Sequence, residues 1–333
     1  MVLSYKIVQD IPGPLDAHQS YRPIVDALYF HVFAHNLFAL PEHYWEGDSP
    51  EAEIRLTWSG WDPEEVIHNS FGSRERQQDL GRVPLDKFHN AIFVGGDYRI
   101  HKDQIQGNEL YLALRGEWIP FGDAEIMELL GETVRAQRDF WRDHTQPYFT
   151  VTMRSYPQER GTSFNGTGLT NSFATSISNN EETEIDQLAY LFNHELMHNW
   201  IGGGIKNADE EAQYWFSEGF TEYYTAKNIA SYGIGGKGWG FFIDNLNENI
   251  RLLEASAVKE APNSEITYEN FWKDPEYGKL PYRRGMLFAC YLDLQIQAVS
   301  GGEQSLDDVM RDLLQASRET RQELTHAHFL KTV

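Results

Sequence analysis

His194-Glu195-Leu196-Met197-His198 is the stretch on which the reading of this chain turns. It lies in a segment where Ile185, Leu188, Ala189, Phe192 and Leu196 recur at helical spacing, which predicts a helix. One turn of that helix sets His194 and His198 on the same face, with Cβ atoms about 5–6 Å apart. Two imidazoles so placed can grip one metal ion. Glu195 adjoins the first of them and can reach a metal-bound water rather than the metal. These are the mechanics of an HExxH zinc hydrolase site. The plainer alternative is a surface helix with two solvated histidines, in a chain that has 12.

A third ligand separates the two readings, because a catalytic zinc usually has three protein ligands and water. Downstream stands Trp215-Phe216-Ser217-Glu218-Gly219-Phe220-Thr221-Glu222-Tyr223-Tyr224. Glu218 follows His198 by 20 positions, room for one helix to stop, a loop to turn and a second helix to return. Gly202-Gly203-Gly204 supplies the stop and the polar run from Lys206 to Glu211 supplies the loop. Alone, Glu218 would read as a solvated helix carboxylate. Beside HELMH it reads as the third ligand of a Zn²⁺ ion.

The 333 residues suffice for two domains with substantial cores. Aromatics at 14% and hydrophobic residues at 41% suit a globular enzyme. A formal charge of −22 repels nucleic acid and anionic membranes, so neither is expected as a partner. The acidity reads first as a device for solubility, with a weak bias toward cationic substrates. Cys290 is the single cysteine, set among Leu287, Phe288, Ala289, Tyr291 and Leu292, and reads as a buried thiol. No signal-peptide pattern or membrane-length apolar run is visible, so a soluble chain is expected. Compartment and oligomeric state stay open.

Residues 1–120 read as a β-rich N-terminal domain. Glu53–Trp58 and Asn108–Arg115 alternate as strands do. Ala91–Ile100 reads as a hairpin through Gly95-Gly96, and Ile11-Pro12-Gly13-Pro14 as a break. His31 and His35 form a rival i, i+4 pair. Their aromatic and β-branched surroundings, Tyr29 to His35, predict a strand, where two such rings stand too far apart to share a metal. Asp123 is expected to cap a helix whose stripe is Ile126, Leu129, Leu130, Val134, Phe140 and Trp141. Tyr148–Met153 predicts a strand, and Gly161–Asn180 a loop with an edge strand. Beyond the two metal-bearing helices the chain reads as helical. Phe242, Leu246, Ile250 and Leu253 form one stripe, Arg284 to about Val299 a second helix, and a third is capped by Ser305 with Asp308.

With HELMH, WFSEGF and Pro281-Tyr282-Arg283-Arg284-Gly285 in that order, the chain resembles the gluzincin aminopeptidases. Phe93–Tyr98, Gly166–Ser172 and Ser305–Met310 look closer to the glycyl aminopeptidase family, and the short ligand spacing closer to the aminopeptidase N family. The resemblance covers roughly residues 90–320. It implies an α+β fold: the β-rich domain, then a thermolysin-like, mainly helical zinc catalytic domain over 121–333, with a mixed lobe to about 205 and a helical lobe after it. It also assigns Tyr282 as hydrogen-bond donor to the oxyanion of the tetrahedral intermediate, a task a neutral phenol suits. Tyr277 is a candidate assistant. Gly168, Leu169, Thr170 and Asn171 fall where an edge strand pairs with extended substrate. One departure matters. Thr170 stands where the aminopeptidase N pattern places the glutamate that binds the substrate's free amine, and a hydroxyl cannot offset a buried ammonium as a carboxylate can. Glu210, Glu211 and Glu222 are candidate substitutes.

The sequence therefore predicts zinc-dependent peptide hydrolysis that removes N-terminal residues. His194, His198 and Glu218 would hold the metal, and Glu195 would be the general base and acid. The alternatives are an endopeptidase or non-peptide hydrolase with no demand for a free amine, and a non-catalytic protein stabilised by zinc.

Overall fold

A computed structural model describes residues 2–13, 15, 22–42 and 50–333. Its contacts gather into two units. Met1–Gly131 with Asp143–Gln187 form the first, and Glu132–Arg142 with Leu188–Val333 the second.

The first unit is β-rich. Its described elements are β1 (Ile24–Val25), β2 (Tyr29–Phe33), α1 (Ala34–Leu37), β3 (Glu51–Thr57), β4 (Val66–Asn69), β5 (Gly72–Ser73) and β6 (Gln77–Pro84). After α2 (Leu85–His89) come β7 (Ile92–Gly96), β8 (Arg99–Ile105) and β9 (Asn108–Arg115). Helix α3 (Asp123–Trp141) leads to β10 (Tyr148–Pro157), β11 (Phe164–Leu169) and β12 (Ser172–Asn179). An antiparallel sheet has the order β1-β2-β7-β4-β5, and a mixed sheet the order β11-β12-β10-β9-β8. In the mixed sheet β10 runs parallel to both β9 and β12. Parallel neighbours need a crossover, which α3 supplies between β9 and β10. Phe33, Val66, Ile92 and Val94 of one sheet pack with Ala113 and Ala174 of the other. Polar links join the sheets as well: His68 Nε2 lies 2.6 Å from Thr150 Oγ1, and the Tyr148 hydroxyl donates to the Asn69 carbonyl at 2.7 Å.

Several expectations change here. The hairpin over 91–100 does not form: β7 pairs with β2 and β4, while β8 pairs with β9 in the other sheet. The Gly-Gly turn is used to switch sheets, a choice that depends on partners far along the chain. His31 lies buried in β2, but His35 falls in α1, its ring 5.2 Å from that of His89. Burial holds the His31 imidazole well below its ordinary pKa, so it is neutral. Asp123 lies inside α3, and its carboxylate accepts from Arg99 and His101 instead of capping. Within 161–180 there are two strands, not one: β11 is the edge and β12 lies inside the sheet. Of the 11–14 cluster, Pro14 lies outside the described residues. A division of the chain at 120 follows sequence order; pairing of β10 with β9 gathers residues 143–187 with the earlier strands.

The second unit is helical. It holds the end of α3, α4 (Ile185–Met197, from Leu188), α5 (Glu210–Ser217), α6 (Gly219–Tyr232), α7 (Trp239–Ala255), α8 (Tyr268–Lys273), α9 (Pro275–Val299), α10 (Leu306–Thr320) and α11 (His326–Thr332). Helix α6 is buried on nearly every side, from Phe220 through Tyr223, Tyr224 and Ala226 to Ile229, so it is the central helix of this unit. Helix α9 begins nine residues earlier than Arg284. Pro281 reads as a boundary in sequence, yet the helix runs through it. The true start is Asp274-Pro275: the Asp274 carboxylate accepts from the Glu276 N–H at 2.9 Å, and proline is favoured at the first helical position. Buried Gly278, Leu280, Gly285, Met286 and Ala289 offset the missing hydrogen bond at Pro281. Asp308 closes the box at Ser305 as expected. No helix among the described residues is long and apolar enough to cross a membrane.

One buried charge joins three of these helices. Asp293 of α9, 4% exposed, accepts from the Tyr223 hydroxyl at 2.5 Å, Lys227 Nζ at 2.9 Å and the Leu306 N–H at 2.9 Å. Lys227 also reaches Asp307 at 2.6 Å. Removing one member strands the others without water. Asp293→Ala should lower the unfolding free energy by about 3 kcal/mol in urea titration; a loss below about 1 kcal/mol would place this network with ordinary surface ion pairs.

Candidate metal centre

Helix α4 ends at Met197, so His194 stands in its last turn and His198 in the turn that follows. Its apolar face, Leu188, Ala189, Phe192 and Leu196, is buried. The end of α3 braces it. Gln137 Nε2 donates to the Asn193 carbonyl at 2.6 Å, Asn193 Nδ2 to Thr133 Oγ1 at 3.2 Å, and Trp141 Nε1 contacts Met197 Sδ at 3.2 Å. The Trp141 and Trp200 rings stack at 5.8 Å. After the Gly202–Gly204 turn the chain returns as α5, capped by Asp209, whose carboxylate accepts from the Ala212 N–H. Helix α5 stops at Ser217 and α6 starts at Gly219, with Glu218 at the break between them.

His194, His198 and Glu218 converge. Nε2 of His194 and Nε2 of His198 are 3.2 Å apart, and Glu218 Oε2 lies 3.5 Å from the first and 3.6 Å from the second. Three atoms at these separations lie on a circle of radius about 2 Å, the length of a zinc bond to imidazole or carboxylate. Glu218 Oε2 is buried and has no hydrogen-bond partner. A carboxylate oxygen left bare beside two imidazole nitrogens fits a cation held among all three. The donor set, two nitrogens and one oxygen without sulfur, suits zinc in a site that keeps a position for water.

The second ring nitrogens are also engaged. His198 Nδ1 lies 3.2 Å from the Ile201 carbonyl oxygen, and His194 Nδ1 lies 2.9 Å from Glu222 Oε1. Glu222 in turn accepts from the Tyr190 hydroxyl at 2.6 Å. Each imidazole is thereby oriented with Nε2 toward the centre. Glu222 follows Glu218 by one helical turn, just as His198 follows His194, so two facing turns supply all four groups. The sequence offered Glu222 as a candidate partner for the substrate's amine; the packing of α6 against α4 sets it beside His194 instead.

Charge is balanced tightly here. Burial opposes ionisation of His194, but Glu218 and Glu222 beside it outweigh burial and lift its pKa to about 10. Burial likewise works against the Glu218 carboxylate, yet His198 and His194 hold it down at about 2. Glu195 is pushed up by burial, a shift only partly countered by the two histidines. A raised carboxyl pKa favours a group that takes and returns protons. Burial, then the negative charge of Glu218, keeps the Tyr282 phenol protonated well above its ordinary pKa. The Tyr282 ring lies 5.9 Å from that of His194 and nearly parallel to it. Tyr277 instead packs on the cluster of Tyr214, Ile266, Phe271 and Leu280.

The candidate substrate strand belongs to the first unit. Gly168 and Leu169 end the edge strand β11, and Thr170-Asn171 is the turn into β12, with Asn171 at φ 51°. The Thr170 hydroxyl donates to the Lys87 carbonyl at 2.7 Å, and Asn171 Nδ2 to the Ser70 carbonyl at 3.3 Å. In the second unit Glu210 accepts from the Ser217 hydroxyl and Glu211 from the Tyr268 N–H, so both are occupied by their own surroundings.

Glu222→Ala should weaken zinc binding about 10–100-fold, measured by competition with a chromophoric chelator, with Glu222→Gln in between. Unchanged affinity would show that the 2.9 Å contact does not orient His194.

Comparison with known proteins places these residues in a family. The sequence profile of the Peptidase family M1 domain matches residues 163–330, which include both histidines, Glu218 and Tyr282. An aminopeptidase N family protein from Idiomarina loihiensis shares the fold, with a TM-score of 0.75 and 19% identity over 93% of this chain and 56% of that one. Yeast LTA4 hydrolase, solved in complex with bestatin, aligns at a TM-score of 0.49 and 13% identity over 80% of this chain and 41% of its own. The chain thus spans about half the length of the structures it matches. With half of its residues matched by that one profile, the chain belongs to peptidase family M1.

Proposed function

We propose that this chain is a zinc-dependent peptide hydrolase that removes N-terminal residues. The observation that carries the proposal is the triangle of His194 Nε2, His198 Nε2 and Glu218 Oε2, with its bare carboxylate oxygen and with Glu195 among the same charges. Membership of the peptidase family supports it.

His194, His198 and Glu218 would hold the zinc, which when bound supplies Lewis-acid activation of water and of the scissile carbonyl. The chain's own groups do the rest. The Glu195 carboxylate takes a proton from the attacking water and returns it to the leaving amine. Its raised pKa lowers the cost of holding that proton between the two transfers. The Tyr282 hydroxyl donates to the oxygen that becomes negative as the carbonyl turns tetrahedral. Glu222 and the Ile201 carbonyl keep the imidazoles aimed. The end of the edge strand β11, with Gly168, Leu169, Thr170 and Asn171, is the proposed seat of the extended peptide backbone, and Tyr277 supports Tyr282 through their shared apolar cluster.

The second reading, hydrolysis without a demand for a free amine, is favoured by one observation. Thr170 has no carboxylate to offer, and its hydroxyl is spent on Lys87. Free and N-acetylated forms of one peptide separate the readings: an aminopeptidase ignores the blocked form, and equal cleavage of both would replace exopeptidase action with the alternative. Glu195→Gln should keep zinc and lose several orders of magnitude in kcat; zinc retained with near-normal turnover would remove Glu195 from the chemistry. Tyr282→Phe should depress kcat by about 10²-fold with little change in KM. A change confined to KM would make the phenol a binding group alone.

A further inference from the structure

We propose that the second unit holds a further binding site, a cavity between α5, α9 and α11 that takes a small carboxylate with an aromatic body. The site stands apart from the metal centre, and the inference does not rest on the peptidase reading.

The cavity measures about 460 Å³, within the range of about 300–1,000 Å³ common for small-molecule sites. Its walls are aromatic. The Trp215 ring lies 5.7 Å from that of Phe288 and 5.2 Å from that of Phe329, edge to face in both cases. Trp215 and Phe329 are buried, and the Gly285 backbone is pressed against the Trp215 carbonyl, so these walls stand in place before any ligand arrives. Leu330 and His326 are exposed and line the cavity where it meets solvent.

Arg284 lines the same cavity. It and Phe288 are one turn apart on α9 and share a face, whereas Tyr282, two positions before Arg284, lies about 200° away round the helix. The Tyr282 ring stands beside that of His194, so the cavity is on the other side of α9 from the metal centre. The half-buried Arg284 guanidinium donates to Asn263 Oδ1 at 3.2 Å and to the Lys259 backbone carbonyl. Both acceptors are neutral, and they take two of its five N–H donors. Among the described residues no carboxylate contacts it. Burial lowers its pKa, and only the more distant charge of Glu260 opposes that shift. No acidic side chain lines the cavity, although the chain carries 50 acidic residues.

A half-buried guanidinium without a counter-charge gains most from a planar anion that accepts two parallel hydrogen bonds, which is what a carboxylate offers. The aromatic walls beside it accept a ring. A cationic ligand is repelled by Arg284, and a wholly apolar one leaves the guanidinium unpaired.

The test measures binding of 3-phenylpropanoate and of its uncharged amide to the zinc-loaded full chain by titration calorimetry. Wild type should bind the acid at least about tenfold tighter than the amide. Arg284→Gln should bring the two to parity, and Arg284→Lys should keep part of the preference. Phe288→Ala should weaken acid and amide alike, by about tenfold. Equal affinities in wild type overturn the proposal. So does a preference that survives Arg284→Gln, which would put the carboxylate on the zinc or on another cation. Because Arg284 also ties α9 to residues 259 and 263, Leu330→Trp provides a variant that spares it. Filling the mouth should abolish binding of both probes, and undiminished binding would place them elsewhere and sink the site. Sedimentation completes the test: a dimer that Phe288→Ala dissolves and the acid does not displace would give the cavity to a second copy of the chain and overturn the proposal.

Discussion

Backbone meets backbone where α6 crosses α9. A Cβ placed on Gly219 would come within 2.3 Å of Gly285 Cα, and one on Gly285 within 2.2 Å of the Trp215 carbonyl oxygen. No residue larger than glycine permits that approach. Glu218 directly precedes Gly219, and Tyr282 lies one turn before Gly285. The relation between the Glu218 carboxylate and the Tyr282 phenol is therefore set first by main chain. The same crossing holds Tyr282 beside His194. A site placed on rigid helices in this way needs little adjustment to bind a cation.

Electrostatics impose the second constraint. Three glutamates and two histidines share a space that burial makes hostile to each charge, as the opposed shifts of Glu195 and Glu218 record. Such a set persists only when every charge has a counter-charge close by. In the metal-free chain His194 supplies one by holding its proton up to a pKa of about 10. A divalent ion would take that place and displace the proton, so metal binding and proton release are linked. Behind α4 the packing is aromatic: Trp141, Trp200, Phe140 and Tyr224 pack together.

Family membership and local chemistry both support the proposed hydrolysis and part company over the substrate's amine. The expected glutamate is Thr170, tied by its hydroxyl to the Lys87 carbonyl. The residues proposed as ligands and general base would serve any peptide bond. Selectivity falls to residues outside that set, where sequence patterns give least guidance.

What the sequence determined by itself is local. The apolar stripe of α4, the one-turn spacing of His194 and His198, the glycine stop and the Ser305–Asp308 box are short-range patterns, each set by the geometry of a single helix. A pairing between distant segments is of another kind. Whether Gly95-Gly96 turns a hairpin or switches sheets depends on β2 and β4 competing with β8 for β7. Pro281 reads as a helix end until the buried face of α9 is known. Glu222 could not be separated from Glu210 and Glu211 until α6 was laid against α4. These were decided by tertiary structure, since each is a choice among partners far apart in the chain, and the free energy that makes the choice comes from burying them together.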